Sequence, residues 1–468
     1  MSITPIARPL SGEHLVGLAP EDGADASRWW LRRPNLFAGR TLTAPTLSGR
    51  QDWAARHIAL RGQAFTPGVV RGLESALFNT AGGLAGTRLA LMQGQGLAAD
   101  GEDVRVPQAL EVALADLPVV ADPSAFAGMG GAGGDGGSVA SKLVGPSLGS
   151  VVAVSPAALP RVGILLLQPV SADRIGEFDA TDPCALDGCG NGNVVAFEDW
   201  RIGDAARLLW YAWPEEFVNL PAMPPGLPGR WRNDLAWRVF DAEAALAADE
   251  SLPWELFGVP IGLVACADDW TPLFLDRASV VRSGGHARYG RIGGAAGGLA
   301  IHWRLPALWQ ARLEQLAEQI AAAGDTAPDP VTLAADYARL PPFGLLPANV
   351  VDLAALSSPF FPGSFTLDAA PLPSEQLDAA LAEAASLAPL DLALGERVRL
   401  LVPVPQAVFE PRLLIREVID PEFAATLAAF LLRRARALGA RQGLRTRASL
   451  LARVISGRAL EVPAIADD

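Results

Sequence analysis

Gly145-Pro146-Ser147-Leu148-Gly149 reads as G-x-S-x-G, the pattern that lifts a serine nucleophile onto a sharp strand-to-helix turn, and His286 and His302 follow it in the chain order that α/β-hydrolases use. The flanking sequence argues against that chemistry. A glycine-rich run precedes the pentapeptide and a β-like Val-Val-Ala-Val follows it, where an elbow needs a strand and then a helix. Pro146 also restricts the backbone immediately ahead of Ser147. A plain turn is the expectation.

A second cluster surrounds Cys184 and Cys189, where Asp179, Asp182, Asp187, Asn191 and Asn193 supply oxygen donors suited to calcium. Their spacing is not that of an EF-hand, and zinc would need two more Cys or His ligands than the stretch provides. A solvated loop is the simplest reading, with a calcium site as the sharper one. The glycine run Gly128 to Ser138 continues into Ser-Val-Ala-Ser-Lys rather than Gly-Lys-Ser/Thr, so it is no phosphate loop. The acidic pairs Glu215-Glu216 and Asp268-Asp269 could serve as acid and base only in combination with other segments, because neighbours on a strand point to opposite faces. General bases are scarce: the four histidines are His14, His57, His286 and His302, and His57 lies in a helical stretch as a surface or boundary residue. No catalytic residue and no cofactor is assigned from these patterns.

The 468 residues are 50% hydrophobic, enough for a large core divided into several units. The net charge of -13 disfavours nucleic acid as a partner, since phosphate binding needs a basic surface. The charge is unevenly placed, however: Pro421 to Arg458 holds eight Arg against Glu422 alone. Arg433, Arg434, Arg436 and Arg441 in that segment are interface candidates, either as a solvated helix face or as a docking helix for an acidic neighbour or another copy. Lys142 is the only lysine, which reads as a GC-rich coding bias. Three cysteines do not make a disulfide framework, and reduced thiols are expected. No apolar run reaches the ~18 residues of a membrane span, and the N-terminus lacks the basic start and apolar core of a signal peptide, so synthesis in the cytoplasm is expected. Twelve Trp are unusual; Trp210 and Trp213 are taken as interface anchors, and Trp-rich loops could also stack on a carbohydrate.

The elements that would carry these groups suggest an α+β chain of small β-modules and long ordered loops, followed by an amphipathic-helix-rich C-terminal part. Residues 1–83 read as a helical and irregular docking segment, with a helix broken at Gly62 and a second one capped by Thr66-Pro67. Residues 84–127 form a β-module in which Leu89, Leu91, Val104 and Val106 alternate about a turn at Asp100-Gly101. The glycine run in 128–150 is the expected domain boundary. Residues 151–305 carry strand candidates at 161–168, 207–213, 261–266 and 273–276. In residues 306–468, Trp309, Leu313, Leu316 and Ile320 mark a helix, Ser374 caps another through Leu377 and Leu381, 396–404 alternates as a strand, and a long helix begins at Asp420-Pro421 with the stripe Phe423, Leu427, Phe430, Leu431.

The stretch GQGLAADGEDVRVP preceded by AFTPGVVRGLESAL resembles uncharacterised proteins that accompany the baseplates of phage-tail-like contractile injection systems. The segments LLWYAWP at 208–214 and ERVRLLVPVPQAVFEPRLL at 396–414 are similar to further blocks of the same family. The resemblance implies a structural subunit, made in the cytoplasm and incorporated into a particle beside baseplate, spike or tube proteins, with self-association as a further expectation. It brings no catalytic residues with it. The alternatives are a module binding surface carbohydrate or protein, and an envelope-polymer hydrolase using carboxylates.

Overall fold

Two long strands organise the molecule. The structure, a computed structural model, describes residues 43–126, 142–173, 202–247, 250–292, 299–323 and 329–344, with Met129 and shorter stretches between 346 and 434. Both helices and several β-sheets are present, so the chain is α+β. The strands in chain order begin with β1 Gly68–Gly72, β2 Ser75–Phe78, β3 Arg88–Leu91, β4 Gly94–Leu97, β5 Asp103–Val106, β6 Leu110–Ala113, β7 Pro118–Ala121 and β8 Leu143–Ser147. They continue with β9 Val162–Asp173, β10 Ile202–Ala212, β11 Val259–Cys266 and β12 Pro272–Asp276. The helices used below are α1 Ala44–Gly62, α2 Gly83–Gly86, α3 Leu148–Val154, α4 Pro228–Ala245 and α5 Arg304–Ala322.

β9 and β10 pair antiparallel over their full lengths and form the middle of a six-stranded sheet in the order β12-β11-β9-β10-β7-β8. Within this sheet β10 and β7 run parallel and the other neighbouring pairs antiparallel. The four strand candidates of residues 151–305 all fall in this sheet. Alternation along β9 and β10 sends Leu165, Leu167 and Trp210 to one face, where they meet Leu89, Leu91, Val104 and Val106 from the small strands, Leu73 between β1 and β2, and Leu148 and Val151 of α3. Ile164, Leu166, Leu209 and Tyr211 point the other way, onto Trp231, Leu235 and Val239 of α4 and onto Trp254 and Phe257. β11, covered on both faces, is buried along its whole length, which is why its sequence is a continuous apolar run. Gly163 leaves room for the Trp210 indole on the neighbouring strand, since a Cβ there would lie 2.1 Å from Trp210 Cε2.

This arrangement corrects the expected partition. β7 and β8, on either side of the glycine run, are antiparallel neighbours in one sheet, and the residues of the 84–127 module share a core with β9 and β10. The run therefore joins two strands of a single body. Alternation at Leu89, Leu91, Val104 and Val106 holds, as does the turn at Asp100-Gly101, where Gly101 has φ +91°. Its partner strand differs: β5 pairs with β4, while β3 lies between β2 and β6 in a separate sheet. Thr66-Pro67 opens no helix. Gly68 and Gly72 take φ of +132° and +62° around Val69 and Val70, so the segment enters β1 instead.

The expected helix at Trp309 to Ile320 is α5, but its buried face is Leu308, Ala311, Gln315, Leu316 and Gln319. Polar sockets account for the rotation: Gln315 and Gln319 are held in hydrogen bonds to each other, to Asp276 and to the Gly229 and Asp336 carbonyls. Leu308 and Ala311 pack on Ala236, Trp237 and Phe240 of α4. Further along, the strands are β13 Tyr289–Ile292, β14 Leu299–His302, β15 Arg339–Leu340, β16 Thr366–Pro373, β17 Leu390–Asp391, β18 Arg397–Val404 and β19 Leu431–Arg434. β18 is the strand expected at 396–404. Ser374 opens a short 3-10 turn to Gln376, with Leu377 and Leu381 outside the described residues. Leu431, expected at the end of a helical stripe, begins a strand that pairs antiparallel with β18; Phe423, Leu427 and Phe430 lie outside the described residues.

A buried ion network ties the α4–α5 layer to the sheet. Arg282 donates to Glu243 at 2.6 and 3.1 Å and to the carbonyls of Ala278, Ser279 and Val281. Arg304 lies 3.5 Å from Glu243 and 3.3 Å from Glu255. Arg232 pairs with Asp276 at 2.6 Å. Removing one partner of such a pair leaves an uncompensated buried charge, at a cost of about 3–5 kcal/mol. Glu243→Gln should therefore lower stability by ~3–5 kcal/mol in urea unfolding, whereas charge removal at exposed Glu111 should change it by less than ~0.5 kcal/mol. Gly163→Ala should cost ~1–3 kcal/mol by forcing Trp210 from its place.

Candidate functional site: the charged end of the central sheet

Strand direction gathers charged residues at one end of the six-stranded sheet. β7, β10 and β11 finish at this end, whereas β8 and β9 start there. Asp122 follows β7, Lys142 precedes β8, Arg161 precedes β9, Glu215 and Glu216 follow β10, and Asp268 and Asp269 follow β11.

Lys142 is buried, and its Nζ lies 2.7 Å from Glu216 Oε1 and 3.1 Å from Asp122 Oδ2. Burial pulls its ammonium down, but the hydrogen bonds to Glu216 and Asp122 outweigh this and hold the group above the ordinary lysine range. The same two carboxylates, after burial itself, push the Tyr211 phenol well up. Arg161 sits next to this group of three along the sheet end. Its guanidinium lies 6.0 Å from the Trp231 ring centroid and is ion-paired with the exposed Asp268. Asp269 accepts from the Thr271 backbone N–H, which holds its carboxyl below the usual range.

Beside Arg161 opens a cleft of about 290 Å³, lined by Arg161, Glu215, Asn219, Leu220, Met223 and Trp231. The loop that forms its wall is fixed by two indoles: Trp213 Nε1 donates to the Val218 carbonyl at 2.7 Å and Trp231 Nε1 to that of Pro221 at 2.8 Å. One wall of the cleft is apolar and its charged lining is Glu215 and Arg161; the wider sheet end carries, among the described residues, the carboxylates Asp122, Glu215, Glu216, Asp268 and Asp269 against the cations Lys142 and Arg161. Both cations already have carboxylate partners.

The expected site residues fare unequally. Ser147 does end a strand and precede α3, so the strand-to-helix context judged missing is present. The nucleophile geometry is not: Ser147 has an ordinary φ of -63°, and its Oγ meets Ser150 Oγ at 2.8 Å. His286 contacts Ser283 at 3.0 Å in an exposed loop, and His302 ends β14. The acidic pairs reach the same end of the sheet, although each carboxylate of Glu216 and Asp268 is tied to a cation. Trp210 and Trp213 are corrected as surface anchors, being 0% and 2% exposed in the core. Trp231, Trp237, Trp254, Trp270 and Trp303 are buried as well, so these rings offer no stacking platform. Arg433 and Arg434 lie in β19, and Arg436, Arg441, Asp179, Asp182, Asp187, Asn191 and Asn193 lie outside the described residues. Lys142 and Arg161 escaped sequence reasoning. The one available signal was the survival of a single lysine in an arginine-rich chain.

No protein family and no curated protein matches the chain. No helix among the described residues is long and apolar enough to cross a membrane.

The raised Lys142 group stabilises the fold below its unfolded value, and that contribution disappears as pH climbs through the folded one. The stability gap between the native chain and Lys142→Met, read from urea midpoints, should be constant from about pH 7 to 9 and shrink above ~pH 10.4.

Proposed function

We propose that this chain is a structural subunit of a phage-tail-like contractile particle, at or near its baseplate, and that it works through assembly rather than chemistry. The observation that carries this reading is α1. It is 19 residues long, about 28 Å, and Ala59 is its only buried side chain among those described. Its end is seated on the β4–β5 turn, where Gly62 and Gly101 pack so closely that a Cβ on Gly62 would be 2.2 Å from Gly101 O, and Gln63 donates to the Asp100 carbonyl. Leu47, Ala54 and Ile58, spaced seven and four, share one face, and Leu47 and Ile58 are 46% and 64% exposed. Tertiary packing, more than propensity, stabilises most helices, so a helix anchored at one end gains from a partner along its length. A projecting helix on a rigid body is a means of attachment.

In this reading the chain is made in the cytoplasm and then built into the particle beside baseplate, spike or tube proteins. The resemblance of the 64–77, 94–107, 208–214 and 396–414 segments to baseplate-associated proteins supports the same assignment. Trp210, Trp213, Trp231, Trp237, Trp254, Trp270 and Trp303 are buried and give the carbohydrate-binding alternative no support. A carboxylate hydrolase remains the enzymatic alternative, checked by activity of the purified chain on cell-wall polymer.

The test is incorporation. Tail-like particles sedimented from the native host should contain the chain, and the double variant Leu47→Asp, Ile58→Asp should reduce its incorporation about tenfold, equivalent to ~1.4 kcal/mol. Its unfolding midpoint should stay unchanged. A chain confined to the light, soluble fractions would contradict the proposal.

A further inference from the structure

The arm and the charged sheet end have opposite character. α1 carries Arg50, Arg56 and Arg61 against the single acid Asp52, and it exposes Leu47, Ile58 and Leu60. The sheet end carries five carboxylates against two cations, and its cleft has an apolar wall of Leu220, Met223 and Trp231. Glu215, on the cleft lining, is exposed and holds no ion pair among the described residues, which leaves it available to a cation. A cleft of about 290 Å³ has room for a side chain or two, not for a helix, so a helix lying across its mouth would insert an apolar residue and keep its arginines on the rim.

We infer that copies of this chain associate head to tail, with α1 of one copy lying across the acidic sheet end of the next. The inference rests on the reading of α1 as an attachment arm and names what it attaches to: a second copy. The arm supplies a basic, apolar face and the sheet end supplies an apolar cleft lined by Glu215 with further carboxylates at the neighbouring strand ends, so both halves of the contact are encoded in one chain. Because the two surfaces differ, the contact is heterologous. It closes a ring when the rotation between copies closes and extends otherwise. Arg50 and Arg61, which flank the Leu47-Ala54-Ile58 face, meet Glu215 and Asp269 beside the cleft in this arrangement, with Arg161 and Lys142 kept neutralised by Asp268, Glu216 and Asp122. These rim charges are solvent-exposed, so the association is screened by salt.

The experiment is sedimentation velocity on the full chain across a concentration series at low and high salt. Self-association at low salt that weakens at high salt is expected. Ile58→Asp on the arm and Glu215→Arg on the rim should each weaken it at least tenfold; both positions are exposed, and unchanged unfolding midpoints would show that the fold is intact. The decisive measurement is the mixture. One variant keeps a sound rim and the other a sound arm, so together they should form a dimer that grows no further, held by the single remaining contact. A chain that is monomeric at every concentration, or self-association that neither variant touches, would overturn the inference. A monomeric chain that still enters particles would overturn this inference alone and leave the assembly reading intact. Head-to-tail association without particle entry would sustain it and remove the particle.

Discussion

Glu243 is the residue on which the body of the protein depends. Its carboxylate is 1% exposed and faces two guanidinium groups, those of Arg282 and Arg304, and each of these reaches further, to carbonyls of the 278–281 turn and to Glu255. Through that one anion, α4, the turn after β12, the segment before β11 and the start of α5 are held in one relation. Phe240 and Trp303 lie under the two guanidiniums at 5.7 and 4.9 Å, so the arginines are covered as well as paired. A network of this kind specifies position more than it adds stability, since an apolar replacement of the whole set can be equally stable. Its consequence here is geometric. α4 is locked over the sheet, and its first turn carries Trp231 to the cleft.

The sheet then does the gathering. No pair among Asp122, Lys142, Arg161, Glu216 and Asp268 is both charged oppositely and close in sequence, except Asp122 and Lys142 across the glycine-rich connection. They meet because β7 to β11 place their ends on one side. A body made rigid by buried ion pairs, presenting a charged end and a projecting helix, suits a component that has to keep its shape while joined to neighbours. The candidate surfaces are therefore the parts that the core leaves over: α1, anchored at one end, and the rim where strands stop.

Much of the secondary structure was legible from residue pattern. The strands β9 to β12 and β18 follow from apolar patterning, which records burial; α1 was legible from its break at Gly62, and α5 from its stripe in extent but not in the face it buries. The failures have physical causes. Thr66-Pro67 carries a helix-start signal, but Gly68 and Gly72 with positive φ and the paired valines favour a strand. The glycine run was taken for a domain boundary because composition reveals only that a segment does not pack, and not that the strands on either side are sheet neighbours. Trp210 and Trp213 look like interface residues by type, yet Gly163 on the neighbouring strand makes a socket for one, and the Val218 carbonyl, five residues on, satisfies the other once the loop folds back. The charged sheet end was the least legible feature, because it is created by strand order, and periodicity within a strand carries no information about its neighbours.

The central claim, that α1 is an arm whose partner lies outside the body, is tested most directly by amide hydrogen exchange on α1 in the free chain and in purified tail-like particles. The account predicts fast exchange along 46–58 in the free chain, slow exchange near Ala59 where the arm is anchored, and protection of the whole helix within the particle. Equal exchange of α1 in both states, with the chain present in the particle, would contradict it.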